Sequence, residues 1–338
     1  MDINSVKEQA RLKMKGFCGA CKVCDGNWCA GQVPGMGGTG SGSSFKNNYE
    51  SLKNIKFVMK TIHDSKNPVL KSKIFGKEID FPVLGAPITG TKFNMGGGVT
   101  EEEYCIDVIE GCKKSGTIGM IGDTGDPACF EYGLKAIEKN NGYGIAIIKP
   151  RENSEIIKRI KMAEKAGVIA VGVDLDGAGL VTMKLFGQPV GPKTIEDLKE
   201  LVRATKLPFI AKGIMSVEEA KMCIEAGVDT IVVSNHGGRV LDYCQGSADV
   251  LEDIVKAVGD KINVLADGCV RSGADVLKYL ALGAKGVLVG RPLIWGSIGG
   301  RVEGVEVILN TIKNQLFQNM ILTGSQDVNK IEKTIIKK

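Results

Sequence analysis

Thr230-Ile231-Val232-Val233-Ser234-Asn235-His236-Gly237-Gly238-Arg239-Val240-Leu241-Asp242 decides how this chain is read. Its opening residues are apolar and β-branched, as in a parallel strand buried on both faces. The apolar run then stops, and an imidazole, two glycines and a guanidinium follow in adjacent positions. Imidazole is the side chain whose ordinary pKa suits proton transfer near neutrality. Guanidinium forks onto a carboxylate, and glycine lets backbone and ligand approach closely. A base and an anion clamp at a strand terminus suggest proton abstraction next to a carboxylate.

The same apolar-run-then-polar-end pattern recurs on both sides of this stretch. Before it come Phe81 to Pro87, Thr117 to Gly122, Gly144 to Ile148, Val168 to Asp174 and Pro208 to Lys212. After it come Asn263 to Asp267 and Gly286 to Gly290, which makes eight. The intervening segments carry helix-start signals, Thr100 with Glu103, Thr194 with Asp197 and Ser216 with Glu219. Several end on a glycine, at Gly167, Gly227 and Gly283. Eight βα units with right-handed crossovers close most simply into an α/β (β/α)8 TIM barrel. A doubly wound open sheet is the competitor; the count of eight and the shared register of polar strand ends favour the barrel. Barrel active sites lie at the carboxyl ends of the strands. Those ends here are Pro87, Asp123, Lys149, Asp174, Lys212, His236, Asp267 and Arg291. The longest connection, about residues 176–192, is rich in Gly and Pro and reads either as a lid or as an idle surface loop.

The chain has 338 residues, 43% of them hydrophobic, enough for one large barrel. Its net charge of +5, from 44 basic and 39 acidic residues, comes with no basic tract, so a nucleic-acid partner is not expected. No apolar run approaches the ~18 residues of a membrane span. Met1-Asp2-Ile3-Asn4 lacks the basic-then-apolar pattern of a signal peptide. With ten cysteines best read as reduced thiols, a cytoplasmic address is expected.

Residues 1–55 differ in character and are expected to form a Cys-rich and Gly-rich N-terminal extension to a barrel spanning 56–338. Cys18, Cys21, Cys24 and Cys29 have spacing that could grip a metal or an iron–sulfur cluster. Against this, the last gap is four rather than three, no proline follows Cys29, and no second Cys-x-x-Cys pair exists; free or redox-active thiols are the competing reading. The glycine run from Pro34 to Gly42 is not a P-loop, because no Gly-Lys-Ser/Thr ends it.

Asp267-Gly268-Cys269-Val270-Arg271 and Gly290-Arg291 follow the seventh and eighth runs, where barrels bind phosphate. Arg271 and Arg291 are therefore the expected phosphate clamp, with Asp267 accepting from ligand hydroxyls. Lys212 closes an apolar run with no helical or surface reason to be there.

Lys212-Gly213, Ser234-Asn235-His236-Gly237-Gly238-Arg239, Asp267-Gly268…Val270-Arg271-x-Gly273 and Gly290-Arg291-Pro292 resemble the FMN-dependent α-hydroxy acid oxidase/dehydrogenase family, which includes glycolate oxidase and lactate oxidase. The resemblance is strong from about residue 193 onward, weaker over 45–175 and absent over the cysteine segment. It implies a barrel that binds FMN and oxidises an L-2-hydroxy acid to the 2-oxo acid. His236 would take the substrate proton, Asp174 would stabilise the imidazolium, and Arg239 would hold the carboxylate. Lys212 would offset the negative charge of reduced flavin. Ala86, Pro87, Ile88, Ser234, Asp267, Gly268, Arg271, Gly290 and Arg291 would contact the cofactor. The family also implies a homotetramer and reoxidation by dioxygen or another acceptor. This chain departs from the family pattern in places. Pro34-Gly35-Met36 stands for a tyrosine pair, the Gln-x-Tyr of the third strand is absent before Lys149, and Asp123 falls where serine is common. Two alternatives stay open at this stage: a non-redox flavin barrel such as type 2 isopentenyl diphosphate isomerase, and an electron-transfer module in which the cysteines are primary. His63 carries no expected role.

Overall fold

In the computed structural model, which describes residues 1–338, each of the eight apolar runs forms a strand. They are β1 (Val83–Gly85), β2 (Met120–Gly122), β3 (Ile145–Ile148), β4 (Ala170–Asp174), β5 (Phe209–Ile214), β6 (Thr230–Val233), β7 (Asn263–Ala266) and β8 (Gly286–Val289). Sequential strands from β2 to β8 pair in parallel, and β8 pairs with β1. A parallel bridge between Gly85 and Gly119 joins the two ends of the sheet. This is the expected (β/α)8 barrel.

Side-chain parity then determines which residues meet inside it. Successive strand residues point to opposite faces. Leu84, Met120, Ile145, Ile147, Ala170, Ile210, Val232, Leu265 and Leu288 form one apolar cluster within the barrel. Their strand neighbours Val83, Ile121, Ala146, Ile148, Val171, Val173, Ala211, Ile231 and Val233 belong to the larger cluster under the helices. Each fully buried Val, Leu or Ile contributes roughly 1.5–3 kcal/mol. Two residues beyond an inward-facing position the next side chain faces inward again. Lys149, Asp174, Lys212, Ser234 and Asp267 therefore form a polar layer directly above the apolar plug. On β4 and β5, Asp174 and Lys212 stand opposite each other in register.

The helices follow their start and stop signals. Thr100 and Thr194 form capping boxes with Glu103 and Asp197, and Ser216 accepts from the Glu219 N–H. Gly167, Gly227 and Gly283 all take positive φ just after helices. The N-terminal extension packs onto the barrel. Helix α1 (Ile3–Lys13) lies on the last helix of the chain (Arg291–Thr323), so close that a Cβ on Gly299 would fall 2.1 Å from the Val6 carbonyl oxygen. Helix α2 (Ser43–Asn54) starts against Gly238, where a Cβ would fall 2.4 Å from the Phe45 nitrogen. Val6, Ala10, Met14, Phe45 and Leu52 share the apolar cluster of the barrel helices. No helix is long and apolar enough to cross a membrane.

Candidate active site

A cleft lined by 24 residues opens at the carboxyl ends of the strands. Five of its lining residues are cationic (Lys149, Lys212, Arg239, Arg271 and Arg291), and only Asp123 and Asp267 are acidic. Such a wall favours an anionic occupant. Ala86, Pro87, Ile88, Gly268 and Gly290 also line it, as expected for cofactor contact. Two expected site residues do not. Ser234 is fully buried and accepts from the His236 backbone N–H at 3.1 Å. Asp174 lies beneath the wall with its side chain 3% exposed.

His236 sits in a tight turn with φ of 58°, followed by Gly237 and Gly238 at 63° and 81°. The glycines accept this left-handed path at no steric cost. Asn235 stabilises it by accepting from the Gly238 N–H at 3.1 Å and from Asn48 at 2.7 Å. The imidazole Nδ1 lies 2.7 Å from Asp176 Oδ1 but 3.5 Å from Asp174 Oδ1. Asp174, the expected imidazolium partner, lies within ion-pair distance of the imidazole, and Asp176 makes the hydrogen bond to it. With Nδ1–H donated to that carboxylate, Nε2 is the nitrogen left to act as a base.

Asp174 has different partners. Lys149 donates to its Oδ2 at 2.5 Å and Lys212 to its Oδ1 at 2.9 Å. Burial alone would push this carboxyl up, but His236, Lys149 and Lys212 together hold it well below the usual carboxylate range. Burial likewise disfavours charge on Lys212, and Asp174, Asp176 and Asp267 outweigh it, raising that ammonium. Asp174, Asp176 and His236 are close enough to share a cation. Both oxygens of Asp174 already accept from ammonium groups, so the trio is better described as a charge-balanced base assembly. Gly213 makes room for it: φ is 103°, and a Cβ would fall 2.6 Å from the Asp176 side chain.

The N-terminal glycine run supplies carbonyls to two arginines. Arg239 donates to Gly35 O at 2.5 Å, Gly37 O at 3.3 Å and Asn94 Oδ1 at 3.0 Å. Arg291 donates to Met36 O, Gly37 O and Gly237 O and stacks 3.9 Å over the Phe45 ring. Burial, then the charge of Arg291, pushes Arg239 down to about 9. A cation held there without a counter-charge favours a carboxylate.

Arg271 and Asp267 carry the test of whether a phosphorylated, polyhydroxylated cofactor fits. Arg271 Nε is a buried donor without a partner, and Asp267 Oδ1 is a buried acceptor without one. Both residues line the cleft. Buried polar groups are rarely left unpaired, and this pair suits a phosphate oxygen and a ribityl hydroxyl. The residues present fit FMN.

Reading the sequence alone missed three features. Asp176 was hidden behind the more regular Asp174, although two carboxylates spaced Asp-x-Asp after β4 were a usable signal. Asp123, noted as a strand end and as a departure from the family pattern, is locked by Arg151, with Nε–Oδ2 at 2.8 Å and Nη2–Oδ1 at 3.2 Å. Asn94 links the cleft wall to Arg239. The expected lid segment contributes Leu180 and Thr182 to the cleft. It is clasped by Phe186, whose ring centroid is 5.1 Å from that of Phe93.

A family model described as FMN-dependent dehydrogenase matches residues 35–184 and 180–338. The chain is 30% identical over 322 residues to a 2-hydroxyacid oxidase of Dictyostelium discoideum, covering 86% of this chain and 81% of that protein. It is 30% identical over 336 residues to a peroxisomal (S)-2-hydroxyacid oxidase of Arabidopsis thaliana, covering 89% and 90%. A solved structure of mandelate oxidase with (S)-2-phenylpropionate superposes with a TM-score of 0.78 at 25% identity, covering 99% of this chain and 98% of that one. Barrel, cleft and matches over nearly the whole length place this chain in the FMN-dependent dehydrogenase family.

Proposed function

We propose that this protein oxidises an L-2-hydroxy acid to the corresponding 2-oxo acid with FMN. The observation that carries the reading is the imidazole of His236, backed by the Asp176 carboxylate and lining the same cleft as Arg239. Arg271, Asp267, Gly268, Gly290 and Arg291 would hold the cofactor, with Ala86, Pro87 and Ile88 lining the same cleft beside Gly290. Bound FMN supplies the acceptor for the substrate's two electrons. Arg239 orients the substrate by its carboxylate. His236 takes a proton at Nε2, and Asp176 keeps Nδ1 protonated and stabilises the resulting imidazolium. Lys212, kept charged by its three carboxylate neighbours, offsets the negative charge that arrives with the electrons. Asp174 acts through Lys149 and Lys212 and is a positioning residue.

The reading extends to a homotetramer, on the strength of the family resemblance, and light scattering tests it. A cytoplasmic address is supported by ten cysteines that are all unpaired. The decisive experiment is anaerobic: the purified yellow protein is mixed with a panel of L- and D-2-hydroxy acids. Bleaching of the flavin by at least one L-acid is expected. No bleaching by any of them would leave a non-redox flavin enzyme as the better description.

A further inference from the structure

Four cysteines outside the cleft remain unused by this chemistry. Although they span a turn-rich stretch, Cys18, Cys21, Cys24 and Cys29 all line one small cavity. Its walls include Trp28 and Phe45, and it shares Met36 and Arg291 with the FMN cleft. We propose that this cavity holds an iron–sulfur cluster on the four cysteine thiolates.

Two observations point to a cluster rather than to a single ion or to bare thiols. The first is spacing. A tetrahedral ion with bonds of about 2.3 Å sets its sulfurs ~3.8 Å apart. No three of these four Sγ atoms lie within 4.8 Å of one another. A cluster attaches each thiolate to its metal atoms across a wider core, so sulfurs arranged around a cavity suit it better. The second is the donor set around the sulfurs. Trp295 Nε1 and the Ala20 N–H each reach Cys18 Sγ at 3.4 Å, and Arg271 Nη2 reaches Cys24 Sγ at 3.4 Å. N–H donors to the thiolates and nearby cations are what an anionic cluster requires of its surroundings.

The charge balance agrees. Arg291 lines the cavity, Arg271 touches it, and Lys7 donates to Cys21 O at 2.8 Å. The one carboxylate on the wall, Asp25, has its oxygens taken by the Asn27 backbone and side-chain N–H groups. Excess positive charge thus surrounds sulfurs that would be negative when ligated. Arg271 spans the two sites, with Nη2 on Cys24 and an unpartnered Nε at the cleft. Disulfides are the competing fate, but all four cysteines are unpaired.

Full-length protein purified without air should contain about four iron atoms and four acid-labile sulfides per chain, as a cubane cluster requires. Reduction with dithionite should give an electron paramagnetic resonance signal distinct from that of flavin. Cys24→Ser should lower iron and sulfide at least several-fold, whereas Cys223→Ser, on a barrel helix, should leave both unchanged. The readouts do not depend on flavin bleaching, so this inference and the proposed oxidation fail separately. Iron-free wild-type protein, zinc in place of iron, or a disulfide within residues 18–29 overturns it.

Discussion

Replacing Asp176 by asparagine keeps the shape of the group that holds His236 and removes its charge. The amide oxygen can still accept from Nδ1–H, so the tautomer survives and only the stabilisation of the imidazolium is lost. With charge centres ~4 Å apart and an effective dielectric of about 20, that attraction is about 4 kcal/mol. Asp174 remains, with its Oδ1 3.5 Å from Nδ1, but two ammonium groups already neutralise it. A net loss of roughly 2–3 kcal/mol is therefore expected, about a 30- to 150-fold slower reductive step at about 1.4 kcal/mol per tenfold. The assay is anaerobic stopped-flow reduction of the FMN-loaded protein, with cofactor occupancy matched to wild type. Asp174→Asn is the informative contrast. It strands Lys149 and Lys212, and breaking a buried pair of this kind costs about 3–5 kcal/mol of stability. Its main signature should be a lower denaturation midpoint. If Asp176→Asn reduces at the wild-type rate while Asp174→Asn is folded, stable and slow, the assignment of the imidazolium partner is wrong.

Three further outcomes test other parts of the site. Gly213→Ala puts a Cβ where the Asp176 side chain lies and forces alanine to a φ of 103°; the strain should cost about 1–3 kcal/mol and slow flavin reduction, and an unchanged rate would show that Asp176 needs no such room. Arg271→Gln removes a charged donor from the phosphate end. FMN affinity of the apoprotein should drop about 10- to 150-fold by fluorescence titration, from the roughly 1.5–3 kcal/mol of a charged hydrogen bond; an unchanged Kd would move the phosphate elsewhere. Because Asp174 is held below its unfolded value of about 3.9, its ion pairs contribute stability above that pH and lose it as pH falls toward the folded value. The urea midpoint should thus decline below about pH 4, and Asp174→Asn should flatten that limb; an identical limb in the variant would assign the acid sensitivity to other carboxylates.

The barrel was legible because parity and repetition are local properties. Once Val232 is buried inward, Ser234 must follow it, and the same step carries Ile147 to Lys149 and Ile210 to Lys212. His236, Arg271 and Arg291 drew notice for a related reason, since each follows closely after a strand. What escaped depends on contacts distant in sequence. Asp176 packs against Gly213, where the register of β5 slips between Lys212 and Ile214, and from there reaches His236. The carbonyls of Gly35, Met36 and Gly37 receive arginines that lie more than 200 residues later in the chain, a pairing no spacing rule reveals. The four N-terminal cysteines had a suggestive spacing, but spacing could not show that they line one cavity with Phe45 and Arg291, nor that Trp295 and Arg271 donate to two of their sulfurs.

The central claim is that His236 takes the substrate proton, and one comparison tests it most directly: the anaerobic rate of flavin bleaching by a reactive L-2-hydroxy acid in wild type and His236→Ala. The cleft walls that hold FMN lie mostly outside this side chain, so the variant should stay yellow. Its bleaching should slow by about 100-fold or more, the usual contribution of a positioned base. A fully flavinated variant that bleaches at the wild-type rate would contradict the account.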